Sequence, residues 1–223
     1  MIIAFICIVL IFNTMETISI HRPKIVVIGS CNTDMVVKAN RLPVPGETIL
    51  GGTFYMNPGG KGANQAIAAA RLGAEVTFIS KIGYDLFGLQ ALEIYRSEKI
   101  NTEYIFTDQK SPSGVALISV DSFGENSIIV APGASRSLSI EDINKAEEKI
   151  KEADIILMQL EIPIDTVEYA ATIACKYGKK VILNPAPASS LSNSFLMNVH
   201  TILPNRIEAE MLSGIKVMNI ESA

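Results

Sequence analysis

The sequence predicts an α/β fold: a doubly wound, mostly parallel Rossmann-like sheet that carries a small second β-sheet. Three observations lead there. Five short runs are almost continuously apolar and β-branched, as in strands buried on both faces: Ile25–Ile28, Val76–Ile79, Ile155–Met158, Val181–Leu183 and Thr201–Leu203. Segments with helical periodicity and readable ends lie between them, which implies right-handed βαβ crossovers. Two stretches, within about 35–57 and 113–131, break the alternation with strand patterns and no intervening helix.

The elements follow in order. Pro23 precedes the first strand, Ile25–Ile28. Met35–Ala39 and Thr48–Asn57 read as strands of the smaller sheet. A glycine-rich turn then opens an Ala-rich helix, Ala63–Leu72, which Gly73 ends. After Val76–Ile79 comes an amphipathic helix, Phe87–Lys99. Gly114–Asp121 and Asn126–Ala131 form a hairpin around Asp121–Glu125. Ser139 and Asp142 make a capping-box pattern that opens one helix over Ile140–Ala153. Asp165 caps Thr166–Tyr177, which stops at Gly178, and a last helix, Ile207–Leu212, stops at Gly214. The smaller sheet reads as a lid, as a dimer surface, or as two ordinary surface hairpins.

Composition narrows the function. Of 223 residues, 48% are apolar and 19% charged, a globular balance. A net charge of −4 gives no basic footprint for nucleic acid. Cys7, Cys31 and Cys175 are scattered, without a Cys-x-x-Cys pair, and read as buried free thiols in a reducing compartment. Met1–Phe12 is almost wholly apolar but shorter than the roughly 20 residues a bilayer span needs. No Lys or Arg precedes it, and Asn13–Ile20 shows no clear cleavage pattern. It is either a targeting or anchoring segment or an extension foreign to the fold. Residues 1–22 are set aside, and the domain is placed at 23–223.

Chemistry-bearing residues gather where strands end, which is where doubly wound sheets bind ligands. Pro58–Gln65 packs three glycines, Lys61 and Asn64 into the turn before a helix. Backbone freedom at its three glycines, free N–H groups at the helix start, and the Lys61 and Asn64 side chains suit a small oxygen-rich ligand. The turn is neither a Walker A loop nor Gly-x-Gly-x-x-Gly, and a phosphate and a sugar fit it equally well. Asn32 and Asp34 follow the first strand and can grip vicinal hydroxyls, or simply form an Asx turn. Glu161 follows Ile155–Met158, as a ligand contact or a solvated loop carboxylate. Asn184-Pro185-Ala186-Pro187 follows the next strand. Asn205 and Glu208 open the last helix, either facing a metal–phosphate group or serving as a pure capping device. No His-Cys-carboxylate spacing supports zinc, and no Gly-x-Ser-x-Gly elbow is present.

Taken together and in this order, Gly29–Asp34, Pro45–Thr48, Gly59–Gln65, Met158–Glu161, Asn184–Pro187 and Asn205–Glu208 resemble the PfkB family of carbohydrate kinases, most closely its ribokinase branch. The resemblance runs from about Pro23 to the last residue. It implies ATP-dependent phosphorylation of D-ribose to D-ribose 5-phosphate, with 2-deoxyribose or another small sugar as the narrower alternative. Asn32, Asp34, Gly60, Lys61, Gly62, Asn64 and Glu161 would hold the sugar. Asn205 would approach the phosphates of ATP, and Glu208 would help place Mg²⁺ through water. The small sheet would be the family's lid, which closes over the sugar and often builds a homodimer. A cytoplasmic location follows, in animals also a nuclear one, with no nucleic-acid or membrane partner. The apolar N-terminus points the other way, to secretion or anchoring.

One part of the family pattern is missing. Its Gly-Ala-Gly-Asp motif supplies the catalytic aspartate, a γ-phosphate anion hole and, nearby, most of the adenine pocket and a monovalent-cation (K⁺) site. No such motif occurs in this sequence, so the family's base is expected beyond Ala223 and no catalytic residue is assigned here. A sheet ending after Thr201–Leu203 is expected to leave an open edge and uncovered apolar surface. These features suggest a fragment of a kinase. The alternative is a truncated, non-catalytic paralogue that binds a pentose or pairs through its lid with a full-length kinase.

Overall fold

Strand β1, Lys24–Ile28, alternates its side chains between two cores. The computed structural model describes residues 22–219, so Met1–Phe12, Cys7, His21 and Glu221–Ala223 lie outside the described residues. Val26 and Ile28 enter a cluster with Ile143, Ile150, Val167 and Ala170, while Val27 packs with Ala63, Ala66 and Phe78 on the opposite face. Burial on both faces is what the apolar runs required.

Around β1 the chain builds a six-stranded sheet in the order β10-β9-β8-β1-β4-β5, parallel at every pairing. β4 is Glu75–Gly83, β5 Ile105–Asp108, β8 Ile155–Met158, β9 Lys180–Leu183 and β10 Thr201–Ile202. Ile28 pairs in register with Ile79 on one side and Met158 on the other. Strand order therefore reverses at β1, which makes its carboxyl end the expected ligand position. Helices α1, Lys61–Arg71, and α2, Leu86–Ser97, cover one face. The other face carries α3, Ile140–Lys145, α4, Glu147–Glu152, and α5, Ile164–Lys176. Tyr95 of α2 stands edge-on to Phe78, with ring centroids 5.4 Å apart.

Asn32 begins a second sheet: β2, Asn32–Lys38, β3, Thr53–Gly59, β6, Gly114–Val120, and β7, Asn126–Ala131, in the order β3-β2-β6-β7. β2 is antiparallel to β3 and parallel to β6. The hairpin between β6 and β7 is closed by the Asp121 carboxylate, which accepts the Phe123 and Glu125 N–H groups.

Several sequence expectations need correction. Ile140–Ala153 is two helices, divided at Ala146. Asp165 lies in the first turn of α5 rather than at its cap, which is Pro163. β4 continues four residues past Ile79, because Ser80–Gly83 pair in parallel with Ile105–Asp108 of β5. The edge strand β5 and the short helix α6, Asn193–Leu196, were not anticipated. Of the two described cysteines, Cys31 is buried and Cys175 exposed. Helix α7, Arg206–Ser213, follows β10 at the sheet edge, where Leu203, Ile207, Met211, Ile215 and Met218 are exposed. Among the described residues no helix is long and apolar enough to cross a membrane.

Candidate functional site

The carboxyl end of β1 is fixed before any ligand arrives. Gly29 donates its N–H to Ile79 O, and Ser80 Oγ donates to Gly29 O at 2.7 Å. From there the chain crosses to the second sheet through Ser30 and Cys31. Cys31 Sγ lies 2.9 Å from Tyr95 Oη, and burial pushes its thiol up to about 11, as in an inert structural cysteine.

Glu161 ties this crossing to the glycine turn. Its Oε2 accepts from Ser30 Oγ at 2.5 Å and from the Lys61 N–H at 2.9 Å, and its Oε1 lies 3.5 Å from Lys61 Nζ. Gly62 N–H reaches Ser30 Oγ at 3.4 Å, and Ala63 N–H donates to Ser30 O. The helix-start N–H groups, expected to be free, are thus taken up inside the protein, with Glu161 in the place of a capping anion. Gly60, the residue before α1, has φ of 90°, a region that side-chain-bearing residues rarely adopt. At Gly62 a β-carbon would come within 2.6 Å of the Gly29–Ser30 backbone, so the turn and the strand exit touch directly.

Asn32 and Asp34 are strand residues of β2, not members of an Asx turn. They pair in register with Gly59 and Asn57 of β3. Asn32 is 5% exposed, and its Oδ1 is buried with no hydrogen-bond partner. A buried acceptor left open is costly unless something completes it. Burial, and then the negative charge of Glu161, hold the Asp34 carboxyl above its ordinary value, while the Lys61 ammonium pulls it down.

These groups border a cavity of about 320 Å³. Ser30, Asn32, Lys61 and Glu161 line it, together with Arg136, Ala186 and Pro187. Asn64 stands exposed in the first turn of α1, outside that lining. The structure therefore joins Asn32, Gly60, Lys61, Gly62 and Glu161 in one place, with Asp34 within their electrostatic reach. Ser30, Arg136 and Pro187 were not singled out from sequence. Ser30 sits inside the strand-exit motif, and Pro187 inside Asn-Pro-Ala-Pro, but for Arg136 no local signal existed.

At the β10 exit, Asn205 and Glu208 engage each other. Asn205 Oδ1 accepts the Glu208 N–H at 2.9 Å, and Glu208 accepts from the Asn205 backbone N–H and Nδ2, each at 2.8 Å. This reciprocal pair is a capping box. Among the described residues no three His, Cys, Asp or Glu side chains are grouped to hold a metal. One carboxylate with both oxygens already accepting does not by itself make a Mg²⁺ site.

The pfkB family carbohydrate kinase profile matches residues 22–223. The chain is 46% identical over 202 residues to a ribokinase of Haemophilus influenzae, covering 91% of this chain and 66% of that one. It is 40% identical to a deoxyribokinase of Salmonella typhi, covering 86% of this chain and 63% of that one. The solved structure of an Arabidopsis thaliana ribokinase complexed with ribose and ATP superposes with a TM-score of 0.80 at 32% identity, covering 91% of this chain and 66% of that one. The chain thus spans about two thirds of the length of these relatives. With a profile match across every described residue, and a relative 46% identical over 91% of its length, the chain belongs to the pfkB family of carbohydrate kinases.

Proposed function

We propose that this chain carries the sugar-binding part of an ATP-dependent ribokinase, in which the 5-hydroxyl of D-ribose takes the γ-phosphoryl group of ATP. The observation that carries the reading is the placement of Asn32, a buried amide with an unmet Oδ1, on the wall of the cavity that Lys61 and Glu161 also line. A neutral side-chain amide suits sugar hydroxyls, which both donate and accept. The Asp34 carboxylate and the Lys61 ammonium supply the charge-assisted bonds that bind sugars strongly. The deoxyribokinase relative makes 2-deoxyribose the competing acceptor.

In this reading Asn32, Asp34 and Asn64 orient hydroxyls, Lys61 donates from the turn, and Glu161 holds the turn in shape while bordering the sugar. Gly60 and Gly62 let backbone and sugar approach. The second sheet closes over the site to exclude water, since phosphoryl transfer to a hydroxyl competes with transfer to water. Asn205 faces the nucleotide phosphates. Glu208 would help place a nucleotide-borne Mg²⁺ only through water, since both its oxygens already accept from Asn205, and K⁺ belongs to the part of the family pattern absent from this sequence. The accepting hydroxyl must lose a proton, and the sequence contains no Gly-Ala-Gly-Asp motif to receive it. The chain's own share is therefore to bind and orient the sugar.

Titration calorimetry of the chain with D-ribose and 2-deoxy-D-ribose tests this. Saturable binding at millimolar sugar or below is expected, with ribose the tighter ligand. Absence of heat for both sugars refutes the reading.

A second reading, pairing of two copies through the lid, is favoured by the exposed Phe54, Tyr55 and Met56 on β3 and Ile128, Ile129 and Val130 on β7. The cytoplasm is the proposed location, in keeping with two unpaired described cysteines.

A further inference from the structure

Arg136 lines the sugar cavity and has no use in the site described above. Lys61, the other cation on that wall, faces Glu161 at 3.5 Å, whereas among the described residues nothing hydrogen-bonds to or ion-pairs with the Arg136 guanidinium. A lone arginine at a protein surface is ordinary. Here, however, its backbone is fixed on several sides within a 3₁₀ turn, Gly133–Ser137. Ala134 N–H donates to Pro112 O at 2.8 Å, Ser135 Oγ accepts the Cys31 N–H at 3.2 Å, and Ser137 Oγ donates to Asp108 at 2.5 Å. The Ser135 bond runs directly to the residue before Asn32, so the base of Arg136 and the Asn32 amide share one frame.

The charges around the cavity define an orientation. Asp34 and Glu161 repel an anion placed near the hydroxyl-reading residues, and Glu161, 3.5 Å from the Lys61 ammonium, partly offsets its charge. The Arg136 guanidinium, a planar fork that matches phosphate or carboxylate oxygens, is left as the attractive pole. A ligand with hydroxyl donors at one end and negative oxygens at the other satisfies both ends at once.

We propose that Arg136 reads an oxyanion on the bound sugar, so that the cavity holds an anionic polyol, a sugar phosphate or a sugar acid, more tightly than the neutral sugar. The proposal rests on the sugar-site reading above. Within that reading the oxyanion is the transferred phosphoryl group, and Arg136 is a specificity residue that favours retention of product.

The test is calorimetry on the chain with D-ribose, D-ribose 5-phosphate and D-ribonate, for the wild type, Arg136→Ala and Arg136→Lys, at low and high salt. Within each variant the readout is the affinity ratio of anionic to neutral sugar. In the wild type a ratio of roughly three to ten is expected at low salt. It should fall to about one in Arg136→Ala, stay intermediate in Arg136→Lys, and shrink at high salt. Preference for the phosphate over ribonate identifies a sugar phosphate as the ligand, and the reverse identifies a sugar acid. A wild-type ratio of one or less, or a ratio unchanged by Arg136→Ala, overturns the proposal. If ribose binds without an anion preference, the proposal fails alone. If none of the three sugars binds, it fails together with the sugar-site reading.

Discussion

Glu161 and Lys61 meet across 100 residues of chain: Glu161 Oε2 accepts the Lys61 backbone N–H at 2.9 Å, and Oε1 lies 3.5 Å from the Lys61 ammonium. The ammonium contact is half open to solvent and weak. The backbone bond matters more, since Glu161 also accepts from Ser30 and so closes β1, the glycine turn and the β8 exit into one ring of contacts. Glu161→Ala would strand a helix-start N–H and the Ser30 hydroxyl. A loss of about 1–3 kcal/mol is expected in urea unfolding, with a smaller loss for Glu161→Gln, which keeps one acceptor. Equal unfolding midpoints for the alanine variant and the wild type would refute the role.

Asn32 predicts the opposite balance. Its Oδ1 makes no hydrogen bond, so Asn32→Ala removes an unmet acceptor. Stability should hardly change or rise, because the orphan acceptor no longer has to be buried. Ribose affinity should fall at least about tenfold, in line with one lost hydrogen bond to the sugar. Thermal melts together with ribose titrations separate the two effects. A large fall in melting temperature would mark Asn32 as structural.

Asp34 makes the pH dependence signed. Burial raises its folded-state pKa above the unfolded value, and Glu161 adds to the shift. Between the two values the folded chain holds the extra proton, so this contribution to stability is complete below the unfolded pKa and is lost as pH rises through the folded one. At neutral pH the carboxylate therefore costs stability. Asp34→Asn should unfold at higher urea than the wild type at pH 7, with the advantage narrowing as pH falls. The same substitution should weaken ribose binding by about 2–4 kcal/mol, because a charge-assisted acceptor is lost. A ribose affinity unchanged by Asp34→Asn would remove Asp34 from the site.

Asp85 behaves in the contrary sense. Burial raises its pKa, but hydrogen bonds from the Ser113 and Gly88 N–H groups and the Ser113 hydroxyl outweigh burial and leave the value lowered. These bonds clamp the start of α2 to the residue before β6, where the second sheet leaves the body. The associated stability is present above the unfolded pKa and disappears as pH falls through the lowered one. Asp85→Ala should lose about 1–2 kcal/mol at pH 7 and flatten the acid limb of the stability profile. Identical acid limbs for variant and wild type would count against the clamp.

What the sequence disclosed follows from how local each signal was. Strands β1, β8 and β9 lie within single apolar runs, and their bounds were read to within a residue. β5 contributes only Ile105 and Phe106 as apolar residues and borrows its register from β4, so nothing local marks it. The break at Ala146 escaped notice because alanine favours a helix on either side of it. Asn32 and Glu161 were legible as polar residues at strand exits, and Lys61 as part of the glycine turn. Their arrangement was not. Glu161 turns inward to the helix start, and Asn205 and Glu208 bond to each other, through contacts that residue type and spacing leave open. Arg136 comes to the cavity through a turn tied to distant chain, including the Ser135–Cys31 contact 104 residues long.

The second sheet offers the last test. β7 is exposed along its whole length, and it forms one edge of the sheet, with β3 at the other. Ile129 is 69% exposed and pairs in register with Leu117, itself half exposed, so the two present one apolar patch. Exposed apolar edge strands invite pairing with another chain. If two copies pair here, Ile129→Glu places a charge in the contact and should shift the assembly to monomer in sedimentation, weakening association by at least about tenfold. Sugar binding would be expected to persist, because Ile129 does not line the cavity. A wild-type chain that sediments as a monomer at every concentration would dismiss the pairing. A dimer insensitive to Ile129→Glu would place the contact on another surface, of which the exposed Ile207 and Met211 beside the β10 edge are one.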